Sequence, residues 1–228
     1  MNIIVLSLDS EIGKKRRSKL NYDYELFTGN TELDKCENWI VTKMNRMHNI
    51  KDNLFRIKCC HFDSMVLILK KIVKEKLNNV IVCEDDAILK EHIYDIFKNH
   101  NEPILKPVLL NCRLIHPTTY KSNTLTYRRE NIIPLVKQFT NGINNFDYNS
   151  YRWACCACIY YPSYQSAQKL LDFIYEQDKI TTFDLFLSKH KYITELYYPS
   201  VFSIEDEHVS QVDKPCGIIN NYLKKNEN

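Results

Sequence analysis

The feature that most constrains the fold of this 228-residue chain is a short apolar segment that ends in three consecutive acidic residues. Residues 80–83 (VIVC) are typical of a buried strand, and residues 84–86 (EDD) follow them directly. Apolar residues recur at helical spacing over residues 62–73 and lead through a polar turn into that strand. A helix that runs into a buried strand is a repeating unit of α/β proteins. The sequence therefore predicts a central sheet with helices packed on it.

The rest of the chain alternates between strand-like and helical patterns. Strands are predicted at residues 2–8, 24–28, 104–110, 153–161 and 197–202, and further helices at residues 167–175 and 183–187. Region 116–151 lacks a clean period and is predicted to be a long loop with small hairpins. We therefore expect an α/β fold with a mostly parallel sheet and helices on both faces. At this length a single core is the default, so one domain over residues 1–228 is expected.

The charge balance argues against a nucleic-acid-binding protein. The chain has 31 Lys and Arg against 28 Asp and Glu, a formal charge of +3. The isoelectric point of about 8.3 is too mild for a protein that makes many phosphate contacts along DNA or RNA. We therefore expect no nucleic-acid partner.

The cysteines and the apolar runs indicate a protein of a reducing compartment. Nine cysteines, an odd number without small-domain spacing, do not describe a disulfide framework. Cys155, Cys156 and Cys158 lie in an apolar run without a partner pair, which favours core thiols over a zinc site. The apolar run at residues 3–6 is followed by Asp9 and Glu11 and is predicted to be a first strand, not a signal peptide. No run approaches the roughly 20 residues that a membrane span needs. A cytoplasmic location is expected.

The acidic triplet is the main candidate for chemistry. In an α/β sheet the binding crevice opens at the carboxyl ends of the strands, where this triplet is placed. Three neighbouring carboxylates repel one another unless a cation joins them, and Mg²⁺ or Mn²⁺ prefers oxygen ligands. In an extended segment Glu84 and Asp86 project to the same side, whereas Asp85 points away or toward a supporting hydrogen bond. The alternative is a solvated acidic turn.

These residues carry a family resemblance. Residues 57–89 (IKCCHFDSMVLILKKIVKEKLNNVIVCEDDAIL) resemble the core motif of glycosyltransferase family 25, the lipooligosaccharide-biosynthesis type, in which Gly-Cys-x-x-Ser-His opens a helix that leads to a strand and an acidic triplet. The interval from Ser64 to Glu84, 84 − 64 = 20 residues, matches the family without a gap. NIIVLSLDSEIGKKRRSKL and ELFTG resemble its first two strands, and CIYYPSYQSAQKLLDFI and TTFDLFL resemble its late segments.

The sequence departs from the family motif at two places on the predicted helix. Met65 stands where the family usually has the His of Ser-His. Cys60 or His61 replaces the Gly-Cys step. The sequence therefore does not establish whether this chain makes the contacts that the family makes with those residues.

The resemblance implies a fold and a reaction. It implies a GT-A-like nucleotide-sugar-binding fold, with residues 1–115 as the nucleotide-binding half and residues 116–228 as the acceptor-side half. The implied reaction moves a hexose from a nucleoside-diphosphate sugar, commonly UDP-galactose or UDP-glucose, to a glycan hydroxyl with inversion at the anomeric carbon. Such a displacement needs a metal on the leaving diphosphate, a base for the acceptor hydroxyl and in-line positioning.

The candidate site residues follow from the acidic triplet and from this resemblance. The predicted metal ligands are Glu84, Asp86 and His208, and the predicted donor-binding residues are Ser7, Arg16, Arg17, Thr28, Gly29, Ser64 and Asp85. For the arginines the alternative is a basic surface patch, and for His208 a solvent-exposed histidine.

Asp184 is the predicted catalytic base, because it lies in the segment that resembles the family's late aspartate and because its apolar neighbours favour partial burial. Its alternative is a carboxylate in the first turn of a helix, and Glu205 and Asp206 are the reserve candidates.

Two other functions remain open at this point. The same carboxylates would suit a metal-dependent nuclease or phosphohydrolase, although a second acidic cluster is then expected and only residues 205–207 offer one. A non-catalytic glycan-binding relic of the fold is the other, because Met65 replaces a motif residue.

Overall fold

The computed structural model describes residues 1–45, 53–89, 97, 104–115, 139–145, 147–148, 152–198 and 202–204. The strands in these ranges are β1 Asn2–Ser7, β2 Glu25–Thr28, β3 Val80–Glu84, β4 Ala87–Leu89, β5 Val108–Ile115, β6 Gly142–Asn145, β7 Arg152–Tyr161, β8 Glu195–Tyr198 and β9 Phe202–Ile204. The α-helices are α1 Glu11–Arg17, α2 Asn38–Asn45, α3 Asn53–Lys74, α4 Tyr164–Glu176 and α5 Phe183–Lys189, with a 3₁₀ turn at Leu33–Lys35.

Seven of the strands form one sheet in the order β2-β1-β3-β7-β5-β8-β6, and β4 and β9 form a second, two-stranded sheet. The α/β class is therefore confirmed, but the main sheet is mixed, not mostly parallel. Pairs β1–β2, β1–β3 and β5–β8 are parallel, whereas β3–β7, β5–β7 and β6–β8 are antiparallel. The sequence pattern could not give the direction of β7, because a central strand buried on both faces is continuously apolar in either orientation.

Successive residues of the central strands face two separate cores. Ile4 and Val82 belong to a large cluster that includes the apolar faces of α3, α4 and α5. Ile3 and Ile81 belong to a second cluster with Phe202 of the small sheet. Within the described residues, the helical members of the apolar clusters lie on one face of the sheet, and the small sheet packs against the other.

Helix α3 packs on α5 and leads into β3. It begins at Asn53, well before the predicted start at residue 62. In its middle, Phe62 makes edge contacts with Phe183 and Phe186 of α5, at ring-centroid distances of 5.5 and 5.6 Å. After its last turn Lys76 adopts a left-handed conformation (φ 53°), which ends the helix and turns the chain into β3.

The late strands and one helix differ from the predicted elements. The strand predicted at residues 197–202 is two strands in different sheets, β8 and β9, and α2 was not predicted. Most of region 116–151 lies outside the described residues. Within the described ranges no helix is long and apolar enough to cross a membrane. Five described cysteines, Cys36, Cys59, Cys60, Cys83 and Cys158, are buried free thiols.

A close approach between α1 and the end of β1 fixes the first helix. Ser10 caps α1, because its hydroxyl accepts a hydrogen bond from the Gly13 amide at 3.0 Å. A Cβ atom on Gly13 would lie 2.2 Å from the Leu8 carbonyl oxygen. Only glycine permits this approach. Gly13 therefore determines how close α1, with Arg16 and Arg17 in its last turn, lies to the end of β1.

We predict that Gly13→Ala lowers the free energy of unfolding by about 1–3 kcal/mol, the usual cost of overpacking. The clash is with backbone and outweighs the ~1 kcal/mol that alanine gains in helix propensity. Gly29→Ala is the control, because its nearest contact is the flexible end of Leu6, at 3.0 Å. Urea unfolding of both variants measures the difference, and a Gly13→Ala protein as stable as the parent would contradict the close packing.

Candidate functional site

A cleft of about 260 Å³ opens where the parallel strands β1, β2 and β3 end. Because these strands are adjacent and parallel, their last residues, Ser7, Thr28 and Glu84, lie at the same end of the sheet. The lining residues come from the strand ends, α1, the segment after β2, and α3. They are Leu6, Ser7, Leu8, Ser10, Ile12, Gly13, Arg16, Gly29, Asn30, Thr31, Arg56, Ile57, Cys60, His61, Ser64, Glu84 and Asp85.

Asp85 is held by a buried network on one wall of this cleft. Its two carboxylate oxygens accept hydrogen bonds from the Ser7 hydroxyl at 2.6 Å and from Arg16 Nη1 at 3.0 Å. The Arg17 guanidinium in turn donates to Ser7 Oγ and, at 2.9 Å, to the Leu8 carbonyl oxygen. The side chains of Arg16 and Asp85 are only 16% and 9% exposed. Asp85 therefore has the supporting role that the sequence suggested, joining β1, α1 and the turn after β3.

The opposite wall is formed by α3 and by the segment after β2. Ser64 Oγ accepts a hydrogen bond from the Asn30 amide at 2.9 Å and donates to the Cys60 carbonyl oxygen at 2.7 Å. A Cβ on Gly29 would meet Leu6 Cδ1 at 3.0 Å and Ser64 Oγ at 3.5 Å. Glycine at position 29 thus keeps this part of the cleft open.

A smaller cavity of about 10 Å³ adjoins the cleft at Glu84 and His61. His61 Nε2 lies 3.1 Å from Glu84 Oε1, and Asp184 lines the same cavity from the first turn of α5. Burial of the imidazole opposes its protonation, but the hydrogen bond and charge of Glu84, with the charge of Asp184, raise the pKa of His61. The structure therefore brings Asp184 close to Glu84. It also places Asp184 in the first turn of a helix, as the alternative interpretation predicted.

Asp86 is the member of the triplet whose charge is least compensated. Its Oδ1 atom is buried and has no hydrogen-bond partner within the described part of the chain. Burial and the nearby charge of Glu84 raise the pKa of Asp86 to about 7, against the lowering effect of Arg16. The expectation that residues 84–86 are extended is wrong, because Asp85 and Asp86 form a turn between β3 and β4. Alternation across a strand consequently does not fix the direction of Asp86.

The triplet fits a divalent cation only in part. Its hard carboxylate oxygens, one of them buried and unpaired, are suitable ligands for Mg²⁺ or Mn²⁺. Among the described residues, however, no group of three or more His, Cys, Asp or Glu side chains could hold a metal ion. The predicted third ligand His208 and the reserve bases Glu205 and Asp206 lie outside the described residues.

The predicted donor-binding residues are only partly brought together. The cleft is lined by Ser7, Arg16, Gly29, Ser64 and Asp85 of this set. Of the predicted metal ligands, Glu84 lines the cleft and Asp86 does not. Arg17 supports Ser7 from outside the lining. Thr28 is exposed at the end of β2 and does not line the cleft, because the chain enters the cleft only at the next residue.

Sequence reasoning missed His61, Asn30 and Arg56 as cleft residues. For His61 a signal existed: it lies four residues before Met65, which places both on one face of a helix. For Asn30 and Arg56 no pattern in the sequence indicated a role.

A comparison with known protein families gives one match. The family profile described as glycosyltransferase family 25 (LPS biosynthesis protein) matches residues 1–187, most of the chain. The matched stretch includes Ser7, Ser64, the acidic triplet and Asp184, and it ends before His208. No curated protein matches the chain.

The shifted pKa of Asp86 predicts a specific dependence of stability on pH. The pKa is about 7 in the folded chain against an ordinary 3.8, so between these values the folded state keeps a proton that the unfolded state has lost. The free energy of unfolding should therefore fall as pH rises through this window, by at most about 1.4 kcal/mol per pH unit from this group. Asp86→Asn should remove this contribution. Urea unfolding across the window tests this, and parallel pH profiles for the two proteins would contradict it.

Proposed function

The chain belongs to glycosyltransferase family 25, and from this premise we propose that it moves a hexose from a nucleoside-diphosphate sugar, UDP-galactose or UDP-glucose, to a hydroxyl of a glycan. It is a glycosyltransferase, and its family implies a sugar donor and a glycan acceptor. One observation supports the finer proposal most: the cleft at the ends of three parallel strands is lined by two arginines, Arg16 and Arg56, and by Glu84 and Asp85 of the acidic triplet. This pairing of opposite charges suits a diphosphate and its counter-ion.

The donor's phosphates are proposed to lie along the Arg16 side of the cleft. Arg16 lines the cleft, and its Nε atom is buried without a hydrogen-bond partner among the residues described. A phosphate oxygen would satisfy such a donor, because guanidinium forks match phosphate geometry. Arg56 lies on the same cleft and adds a second cation. Gly29 and Ser64 leave room for the donor on the opposite wall.

Glu84 and Asp86 are the proposed ligands of a divalent cation, Mn²⁺ or Mg²⁺. The electrostatic reason for this choice is the repulsion between the two carboxylates, which contributes with burial to the raised pKa of Asp86 and which a bound cation would relieve. When bound, the ion supplies Lewis-acid neutralisation of charge on the leaving diphosphate. Asp85 does not join the ligands in this proposal, because Ser7 and Arg16 already engage its oxygens.

Asp184 is the proposed base. In a single displacement the acceptor oxygen attacks the anomeric carbon, the bond from that carbon to the diphosphate breaks, and the configuration inverts. The base takes the proton of the acceptor hydroxyl as that bond forms. Asp184 lines the small cavity that adjoins the cleft at Glu84, so it lies beside the proposed donor site. The family assignment favours this transfer over the nuclease and relic hypotheses.

We predict that the parent chain binds UDP and UDP-hexoses more tightly with Mn²⁺ than without it, and that Glu84→Gln and Asp86→Asn each remove the metal-dependent part. Loss of one ligand should weaken binding because the remaining carboxylate holds the ion poorly. Isothermal titration calorimetry measures this, with GDP- and CMP-sugars as competing donors.

Glu176→Gln is the matched control, because this exposed carboxylate at the end of α4 lies away from the cleft. It should bind donor as the parent does. Donor binding that ignores Mn²⁺, or that survives unchanged in both acidic variants, would overturn the metal proposal, and no binding of any nucleotide sugar would overturn the donor proposal.

A further inference from the structure

Among the described residues, His61 is a basic side chain that hydrogen-bonds to Glu84. His61 Nε2 and Glu84 Oε1 are 3.1 Å apart, and a carboxylate oxygen can only accept, so the imidazole N–H donates this hydrogen bond. Both side chains are partly exposed, at 32% and 41%, and both line the cleft. The contact therefore lies where the proposed donor and cation would bind.

His61 and Met65 lie one turn apart on the same face of α3. His61 and Met65 are four residues apart on α3 and line the same small cavity as Glu84 and Asp184. One helical turn is a rise of about 5.4 Å, so a side chain at either position can approach the same carboxylate. The Met65 thioether has no N–H to donate.

The neighbouring face of α3 has a different task. Cys60 and Ser64, also four residues apart, are hydrogen-bonded to each other, and Ser64 accepts from the Asn30 amide. These contacts anchor the helix to the segment after β2. These hydrogen bonds fix the rotation of α3 about its axis, and in that orientation His61 faces Glu84.

We propose that His61 is the positioning residue for Glu84, and that its hydrogen bond holds the carboxylate in the orientation that a cation and a diphosphate require. This inference rests on the proposed function. A carboxylate left without this partner would rotate into solvent, since 41% of the Glu84 side chain is exposed. Partners that orient metal-binding side chains typically contribute roughly 10- to 100-fold to metal affinity or activity.

Two variants of similar size separate the hydrogen bond from simple filling of space. His61→Leu fills the position without a donor, whereas His61→Gln keeps an N–H. We expect His61→Leu to weaken Mn²⁺ affinity at fixed UDP, measured by calorimetry, by roughly 10-fold or more, and His61→Gln to weaken it much less. In hexose transfer the loss should fall on kcat/KM. His190→Gln, a histidine packed on Phe173 and Phe186 of the helical core, should match the parent.

A relocation gives the sharpest test. His61→Leu combined with Met65→His moves the imidazole one turn along the same face and should recover Mn²⁺ affinity above His61→Leu alone. Equal losses in the Leu and Gln variants, no loss in either, or no recovery in the double variant would overturn the inference. Circular dichroism confirms that each variant is folded. A parent chain that binds no metal-nucleotide complex would instead refute the proposed function, so the two failures are distinguishable.

Discussion

The buried ion pair between Arg16 and Asp85 is the interaction on which the site depends. The two side chains come from residues 69 positions apart and join α1 to the turn after β3, and Ser7 of β1 donates a further hydrogen bond to Asp85. Buried charges are tolerated only when they are paired and hydrogen-bonded, and removal of one partner typically costs about 3–5 kcal/mol. The close approach at Gly13 allows this pairing, because it brings α1 against the end of β1. The cleft is thus built around one neutralised carboxylate.

That neutralisation divides the acidic triplet into three different groups. Asp85 is satisfied by Arg16 and Ser7, Glu84 is bonded to His61, and Asp86 keeps a buried oxygen without a partner in the described structure. Three chemically similar side chains in sequence therefore have distinct electrostatic environments. The negative charge that remains lies on Glu84, which lines the cleft, and on Asp86, which does not line it.

Residues 80–86 show how far sequence reasoning reaches. An apolar run followed at once by charge predicts a strand that ends at a functional edge, and the cleft lies there. The position of Asp86 could not be predicted, because the sequence EDD is compatible with a turn as well as with an extended segment. The turn is followed by β4, whose pairing partner β9 is distant in the sequence. The direction of β7 was equally unreadable, since strand direction is set by long-range topology. His61 was within reach, because its spacing from Met65 is local, whereas the pairing of Arg16 with Asp85 depends on the packing of α1.

The most direct test of the account is a crystal structure of the chain with Mn²⁺ and UDP, with data collected at the manganese absorption edge to locate the metal by anomalous scattering. The account predicts an anomalous peak coordinated by carboxylate oxygens of Glu84 and Asp86 and by the diphosphate, with the nucleotide in the cleft beside Arg16. A nucleotide bound elsewhere, or a nucleotide in the cleft with no ion near these carboxylates, would contradict it.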